Sequence, residues 1–149
     1  MNPPLRTHED CEAVKAGLRD GVIDCIVTDH APHAGYEKEV EFEAAPFGII
    51  GLETSFPLTY TNLVVPGILT LSDAISKMTA VPAAVLKLPE GAGTLTPGAV
   101  ADIAVFDLEQ EWTIDRNAVQ SKSRNTPFHG MKVWGRPLFT LVAGKRIVL

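Results

Sequence analysis

The feature that most constrains the fold is one nearly unbroken apolar run at residues 22–28, Val-Ile-Asp-Cys-Ile-Val-Thr. Such a run is typical of a strand that is covered on both faces in a parallel sheet. A strand of this type needs parallel neighbours, yet residues 1–90 contain no second good candidate. A complete eight-stranded α/β barrel takes about 250 residues, whereas this chain has 149. The sequence therefore predicts one part of a larger α/β protein.

Composition limits the classes of partner. The chain has 18 Asp and Glu residues against 13 Lys and Arg, a formal net charge of −5. Nucleic acids and anionic membranes select clustered Lys and Arg, so we expect neither as a partner. No apolar run approaches the roughly 20 residues that cross a bilayer, and the first ten residues lack the apolar stretch of a secretion signal. Two cysteines, Cys11 and Cys25, do not make a disulfide framework, which favours a reducing, cytoplasmic location.

Helical periodicity appears several times before residue 90. The first helix is expected after Thr7, a good N-cap, and ends at residues 20–21. Two more are expected to begin at residues 54–55 and after Thr70, and a short one spans residues 82–87. The apolar positions that carry the spacing are Cys11, Val14, Leu18, Phe56, Tyr60, Leu63, Leu71, Ile75 and Met78.

From residue 91 onward the pattern changes to β. Strands are expected at residues 101–106, 112–114, 133–134 and 138–142, with a hairpin turn at 143–144 into residues 146–149. The expected organisation is an α/β portion over residues 1–90 and a small β block over residues 91–149. Within the first portion, residues 29–51 form a long connection without steady periodicity, and such loops are commonly functional.

Residues 28–33, Thr-Asp-His-Ala-Pro-His, follow the apolar run and carry the best candidates for chemistry. Residues just beyond the carboxyl end of a strand line the active site in α/β barrels and open α/β sheets. Asp29, His30 and His33 would bring a carboxylate and two imidazoles into one small volume, where they can bind a divalent metal or move protons. The spacing alone supports an alternative equally well, in which Asp29 caps a turn and the histidines are ordinary loop residues.

The chain offers few metal ligands. A catalytic zinc site usually draws three protein ligands, but the other two histidines, His8 and His129, lie in a helix first turn and a polar loop. The sequence has neither H-x-H nor H-E-x-x-H. Most ligands of any metal that Asp29 contacts are therefore expected to come from elsewhere.

Three motifs occur in a fixed order: residues 2–6 (Asn-Pro-Pro-Leu-Arg), 28–33, and 46–54 (Pro-Phe-Gly-Ile-Ile-Gly-Leu-Glu-Thr). Together they resemble the C-terminal third of dihydroorotases of the longer bacterial type, members of the amidohydrolase superfamily. Three later stretches continue the similarity, at residues 93–98, 101–107 and 123–130. The resemblance implies an α/β fold, the C-terminal part of a (β/α)8 TIM barrel of the metal-dependent hydrolase type, with a small β-sandwich-like block.

The resemblance also implies a function. Enzymes of this type interconvert N-carbamoyl-L-aspartate and L-dihydroorotate, a step of pyrimidine synthesis, with one or two zinc ions. Asp29 matches the aspartate that contacts the metal and transfers a proton. Asn2 and His33 match substrate-binding positions, and Phe47 and Gly48 match a loop whose backbone contacts the pyrimidine ring.

The family's H-x-H-x-R motif, its metal-bridging acid and its two later metal histidines precede the matched region. We therefore expect this polypeptide to be inactive alone and not to hold zinc tightly. The family's β block also uses strands from the beginning of the chain. Missing partner strands expose edges and apolar surface, so we expect self-association as a homo-oligomer.

Two alternatives stay open. The first is another cyclic amidohydrolase, an allantoinase or dihydropyrimidinase, which shares the barrel but seldom has a histidine at the position of His33. The second is a non-catalytic, dihydroorotase-like structural subunit of an aspartate transcarbamoylase complex. Retention of Asp29 and His33 argues against this second alternative.

Several polar residues are interpreted structurally. His30 is expected to make a structural hydrogen bond, and Arg6 a local ion pair with Glu9 or Asp10. A charged run around Lys38 is expected to be a solvated face. Its acidic members are Glu37, Glu39, Glu41 and Glu43.

Overall fold

The computed structural model describes residues 2–4 and 7–148, so the expected pairing of Arg6 lies outside the described residues. Helices come first along the chain and strands follow. The α-helices are α1 (His8–Arg19), α2 (Gly35–Lys38), α3 (Ser55–Thr59), α4 (Leu71–Met78) and α5 (Ala80–Val85), and a π-helix (Tyr60–Val64) continues α3 directly. The strands are β1 (Ile103–Thr113), β2 (Lys132–Val142) and β3 (Lys145–Val148). The predicted mixed α/β composition is confirmed.

Helix α1 begins where the sequence predicts. The Thr7 hydroxyl accepts a hydrogen bond from the Asp10 N–H (3.1 Å), and the Asp10 carboxylate accepts one from the Thr7 N–H (2.9 Å). This capping box satisfies two backbone donors that the first helical turn leaves without partners. Leu18 on the apolar face of α1 is buried against Leu69 and Ala74, which anchors the helix to α4.

The prediction of a strand over residues 22–28 is wrong for this structure. The segment has no regular secondary structure and pairs with no strand, and Val22 and Val27 are 78% and 75% exposed. Helix α4 holds it instead, because the Ile26 N–H donates to the Lys77 carbonyl (2.9 Å) and Lys77 Nζ donates to the Ile23 carbonyl (2.6 Å). A parallel ladder needs a neighbouring strand, and the described residues provide none here.

The predicted helix after residues 54–55 forms, but its second half is a π-helix over Tyr60–Val64. It packs against β2 where Gly135 leaves room, since a Cβ there would lie 3.1 Å from the Phe56 ring. The Trp134 N–H also donates to Thr61 Oγ1 (2.8 Å). These contacts join the helical part of the chain to the sheet.

The sheet is antiparallel, in the order β1-β2-β3. The two strands expected at residues 101–106 and 112–114 form one strand, β1, with a register shift between Asp107 and Glu111. Asp107 Oδ1 accepts from the N–H groups of Glu109 and Gln110, so its side chain stabilises the irregular stretch within the strand. The irregular stretch interrupts the β pattern of the sequence, which is why the sequence predicts two strands here instead of one. The hairpin turn at residues 143–144 is confirmed.

A cleft of about 1250 Å³ lies between the helices and the sheet. Apolar side chains from α3, α4 and β1 line it, among them Phe56, Ile75 and Phe106. The indole Nε1 of Trp112, also at this cleft, is buried without an acceptor among the described residues. Within that same part of the chain, no helix is long and apolar enough to span a membrane.

Gly93 provides a test of this packing. A Cβ at Gly93 would lie 2.7 Å from the carbonyl carbon and oxygen of Thr79, whereas one at Gly98 would meet nothing within 4 Å. Both glycines have positive φ, +72° and +93°. Gly98→Ala should lower the free energy of unfolding by about 1–2 kcal/mol through backbone strain alone. Gly93→Ala should cost about 1–3 kcal/mol more because backbone must also move.

Urea unfolding of the purified chain measures both effects. Equal midpoints for the two variants would contradict the packing described at Gly93.

Candidate active site

Asp29 lies directly after the segment at residues 22–28, with a φ of +44° and an exposed side chain. This left-handed conformation is uncommon outside glycine, although aspartate tolerates it better than most residues. Among the described residues, none donates a hydrogen bond to its carboxylate. Asp29 is therefore not committed to a local turn contact, and its oxygens are open to a ligand.

His30 has a structural role, as predicted. Its Nδ1 accepts a hydrogen bond from the Gly51 N–H (3.0 Å), and the neighbouring Ala31 N–H donates to the Ile49 carbonyl (2.9 Å). His30 and Ile49 form an isolated parallel bridge. A cavity of only about 10 Å³ adjoins the His30 side chain, enough for about one water molecule. His30 thus ties the segment after Asp29 to residues 49–51.

The His33 imidazole lies beside the Glu37 carboxylate. The His33 side chain is 22% exposed, and its Nδ1 lies 3.6 Å from Glu37 Oε2. The same Glu37 oxygen accepts a hydrogen bond from the Ala34 N–H (2.7 Å) at the start of α2. The Glu37 side chain is nevertheless 42% exposed, and Glu39, Glu41 and Glu43 are exposed, so the prediction of a solvated acidic face is confirmed.

Gly48 lies directly against His33. A Cβ at Gly48 would be 2.5 Å from the Ala31 Cβ and 3.2 Å from His33 Nε2, and its φ of +112° is rarely adopted by other residues. Glycine therefore allows the loop to approach the imidazole closely. The neighbouring Phe47 side chain is 66% exposed. The structure thus brings together two predicted site positions, His33 and Gly48, that are 15 residues apart in the chain.

Two residues that sequence reasoning missed hold this loop. Lys38 Nζ donates to the carbonyls of Gly48 (2.8 Å) and Pro46 (2.5 Å). Asn125 Nδ2 also donates to the Gly48 carbonyl (3.3 Å). Lys38 lies among acidic residues, and its position in the sequence gave no signal of this role. Asn125 lies in a stretch without periodicity, and its only signal was the resemblance of residues 123–130 to a known family.

The fifth predicted residue, Asn2, is exposed ahead of α1. No contact among the described residues connects it to Asp29, His33 or the loop at residues 47–48, and its binding role stays a prediction. The large cleft between helices and sheet contains none of the five predicted site residues. The candidate site is therefore defined by side chains and backbone groups that lie close together, and not by an enclosed cavity.

The described residues contain no group of three or more His, Cys, Asp or Glu side chains that could hold a metal ion. Asp29 offers one carboxylate, a ligand type that zinc accepts. The donor set of this chain therefore fits one position in a zinc coordination sphere, and the remaining ligands would have to come from other residues.

Comparison with known sequences identifies relatives over nearly the whole chain. A dihydroorotase of Brevibacillus brevis is 55% identical over 145 residues, which are 97% of this chain and 34% of the relative. A dihydroorotase of Shouchella clausii is 52% identical over 147 residues, 99% of this chain and 34% of the relative. The chain thus spans about a third of the length of these relatives, and its resemblance to dihydroorotases is confirmed.

Solved structures with the same fold are hydantoinases and dihydropyrimidinases by name. L-hydantoinase (dihydropyrimidinase) from Arthrobacter aurescens superimposes with a TM-score of 0.90 at 34% identity, covering 98% of this chain and 33% of that one. D-hydantoinase from Thermus sp. gives a TM-score of 0.90 at 30% identity, covering 99% and 33%. The model of the amidohydrolase family matches residues 2–147. The chain therefore belongs to the amidohydrolase family.

Proposed function

We propose that this chain forms the C-terminal part of a zinc-dependent dihydroorotase, which interconverts N-carbamoyl-L-aspartate and L-dihydroorotate. The observation that carries the proposal is the packing of Gly48 against His33 in the loop that follows an open Asp29 carboxylate. The resemblance matches Asp29, His33 and Gly48 to one active site, and the contact of Gly48 with His33 supports that grouping. Identities of 50–55% to dihydroorotases over at least 97% of the chain support the assignment.

The fold supports a place within a larger enzyme. In this proposal, residues 1–90 are the C-terminal portion of a (β/α)8 barrel, and the segment at residues 22–28 pairs with parallel strands supplied by other residues. That pairing would cover Val22 and Val27, which are exposed here. Residues 91–149 form one part of a composite β block, whose remaining strands would cover the apolar cleft.

Asp29 is the proton-transfer group in this proposal. When bound, zinc would lower the pKa of a coordinated water to about 7. The Asp29 carboxylate can then accept a proton during attack on the cyclic amide and return it to the leaving nitrogen. Its lack of a competing partner among the described residues leaves it available for both steps.

His33 and the loop at residues 47–48 bind the substrate. Glu37 lies on the Nδ1 side of the His33 ring, so the Nε2 side, next to Gly48, is the one directed towards the loop. When both ring nitrogens carry a hydrogen, Nε2 can donate to a carboxylate or ring carbonyl oxygen of the substrate while Nδ1 faces Glu37. Backbone groups of Phe47 and Gly48 contact the ring of the substrate, and Asn2 adds a further polar contact to the substrate.

A second candidate is hydrolysis of a different cyclic amide, since the superimposed structures are a hydantoinase and a dihydropyrimidinase by name. Those matches are 25–34% identical, well below the identity to dihydroorotases, and fold similarity does not determine substrate. A non-catalytic role beside an aspartate transcarbamoylase is less well supported, because a structural subunit has no need for the open Asp29 carboxylate. Self-association stays a prediction.

The first test compares two proteins. The purified chain should carry no stoichiometric zinc and hydrolyse no dihydroorotate, because it supplies only one of the expected ligands. A chimaera that joins this chain to the upstream two-thirds of the Brevibacillus brevis relative should gain both properties. Metal analysis and assays with dihydroorotate, dihydrouracil and hydantoin measure the outcome.

Turnover by the chain alone would contradict the proposed division of the site. A chimaera that prefers hydantoin or dihydrouracil would instead favour the second candidate.

The second test concerns Asp29. Asp29→Asn in the chimaera keeps the shape of the side chain but removes its proton-accepting charge, so kcat should fall by about 10²–10⁴-fold. Asp24→Asn is the matched control, because Asp24 is an exposed aspartate in the segment that leads to Asp29. Steady-state kinetics measures both variants, and a loss of less than tenfold for Asp29→Asn would exclude a proton-transfer role.

The third test concerns Gly48. Gly48→Ala forces the loop away from Ala31 and His33, and should raise KM for dihydroorotate by about tenfold or more in the chimaera. Gly130→Ala is the control, because Gly130 has a similar positive φ of +82° with nothing within 4 Å of a Cβ. An unchanged KM for Gly48→Ala would contradict the role of this loop in binding.

A further inference from the structure

We propose that Asn125 is the positioning residue of this site, fixing His33 and Gly48 relative to each other. The inference rests on the proposed function, because it concerns the binding groups assigned there. Asn125 lies 92 residues beyond His33, in the segment between β1 and β2. It touches no reacting group that the mechanism uses and acts through the residues it holds.

One amide makes three separate connections. Asn125 Oδ1 accepts from the His33 N–H (3.3 Å), while Nδ2 donates to the carbonyls of Ala31 (2.9 Å) and Gly48 (3.3 Å). The backbone carbonyl of Asn125 accepts from the Ile50 N–H (3.1 Å). Both donors and the acceptor of the side-chain amide are thus engaged with backbone on two sides of the site.

The three hydrogen bonds of the Asn125 side chain require an amide. Aspartate has nearly the same shape, but its second oxygen would face two carbonyl oxygens where Nδ2 now donates. A residue that only filled space at this half-buried position would be replaced by aspartate at little cost. The arrangement around Asn125 therefore requires an acceptor and two donors in one planar group.

Asn125 is itself held in place. The Glu53 carboxylate accepts from the N–H groups of Gln120 (2.9 and 3.0 Å) and Ser121 (3.1 Å), which anchors the segment that leads to Asn125. Downstream of Asn125, the Gly130 N–H donates to the Ile114 carbonyl (2.8 Å), next to the sheet. The amide is fixed from both sides and can impose a geometry on the active-site loop.

Lys38 reaches the same Gly48 carbonyl from α2. Asn125 and Lys38 therefore share one acceptor, and removal of either leaves the other to hold it. Residues that share a partner show non-additive effects when both are changed. The two side chains should accordingly be coupled in substrate binding.

The experiment uses Asn125→Ala and Asn125→Asp in the chimaera. Asn117→Ala and Asn117→Asp are the matched controls, because Asn117 is an exposed asparagine in the same connecting region. Both Asn125 variants should raise KM for dihydroorotate by about tenfold or more. Their kcat should stay within about threefold, and their pH profiles should be unchanged because Asp29 is not displaced. A raised KM in the isosteric Asn125→Asp variant is the decisive sign of positioning.

Amide hydrogen exchange in the purified chain gives a second readout that needs no metal or turnover. The His33 and Ile50 amides should exchange faster in both Asn125 variants and remain protected in the Asn117 variants. If either Asn125 variant fails to fold, Lys38→Met and the Lys38→Met/Asn125→Asp pair test the same carbonyl. The KM increase of the pair should differ from the product of the single increases by at least about threefold.

Two results would overturn the inference. One is an Asn125→Asp variant with normal KM and normal exchange at His33. The other is a variant that loses kcat and thermal stability while KM stays unchanged, which would indicate a general structural role. If the unmodified chimaera hydrolyses no dihydroorotate, the proposed function fails, and unchanged exchange at His33 would then separately refute the positioning role.

Discussion

The backbone of residues 22–51 must find hydrogen-bond partners without a strand ladder, and much of the structure depends on how it does so. Buried N–H and C=O groups that lack partners are costly. Here side chains provide them: Lys77 Nζ for Ile23, His30 Nδ1 for Gly51, and the side chains of Lys38 and Asn125 for Gly48. A segment held by individual side chains can follow an irregular path, which is what brings an imidazole and a glycine into contact.

The features that sequence reasoning predicted well are those fixed by nearby residues. The N-caps of α1 and α4, Thr7 and Thr70, each bind a backbone N–H only three positions further along the chain. Helical spacing also identified α3, although not its change to a π-helix at Tyr60. Local signals of this kind need no knowledge of the rest of the fold.

What the sequence could not predict depends on distant partners. The apolar run at residues 22–28 has the composition of a buried strand, but a strand exists only when another pairs with it. Glu37 and Lys38 looked like members of a charged surface run, because nothing local shows that one faces His33 and the other faces the Gly48 carbonyl. The Asn125 side chain binds the carbonyls of Gly48 and Ala31, which lie 77 and 94 positions earlier in the chain.

Backbone conformation gives an independent reason to connect Asp29 with chemistry. Among the described residues, three other than glycine have positive φ: Asp29, Lys87 and Ala143. Lys87 follows the end of α5, where its N–H and that of Leu88 donate to Ala84 and Ala83 in a Schellman motif. Ala143 begins the two-residue turn between β2 and β3, where such conformations match the strand twist.

Asp29 terminates no helix and begins no hairpin. A left-handed residue is tolerated at a cost of about 1–2 kcal/mol relative to the right-handed form, and glycine would avoid that cost. In the proposed function, a requirement for the carboxylate accounts for an aspartate at this position. Strained residues of this kind occur at functional sites when the surrounding structure holds them, and the His30 contacts with residues 49–51 hold the chain immediately after Asp29.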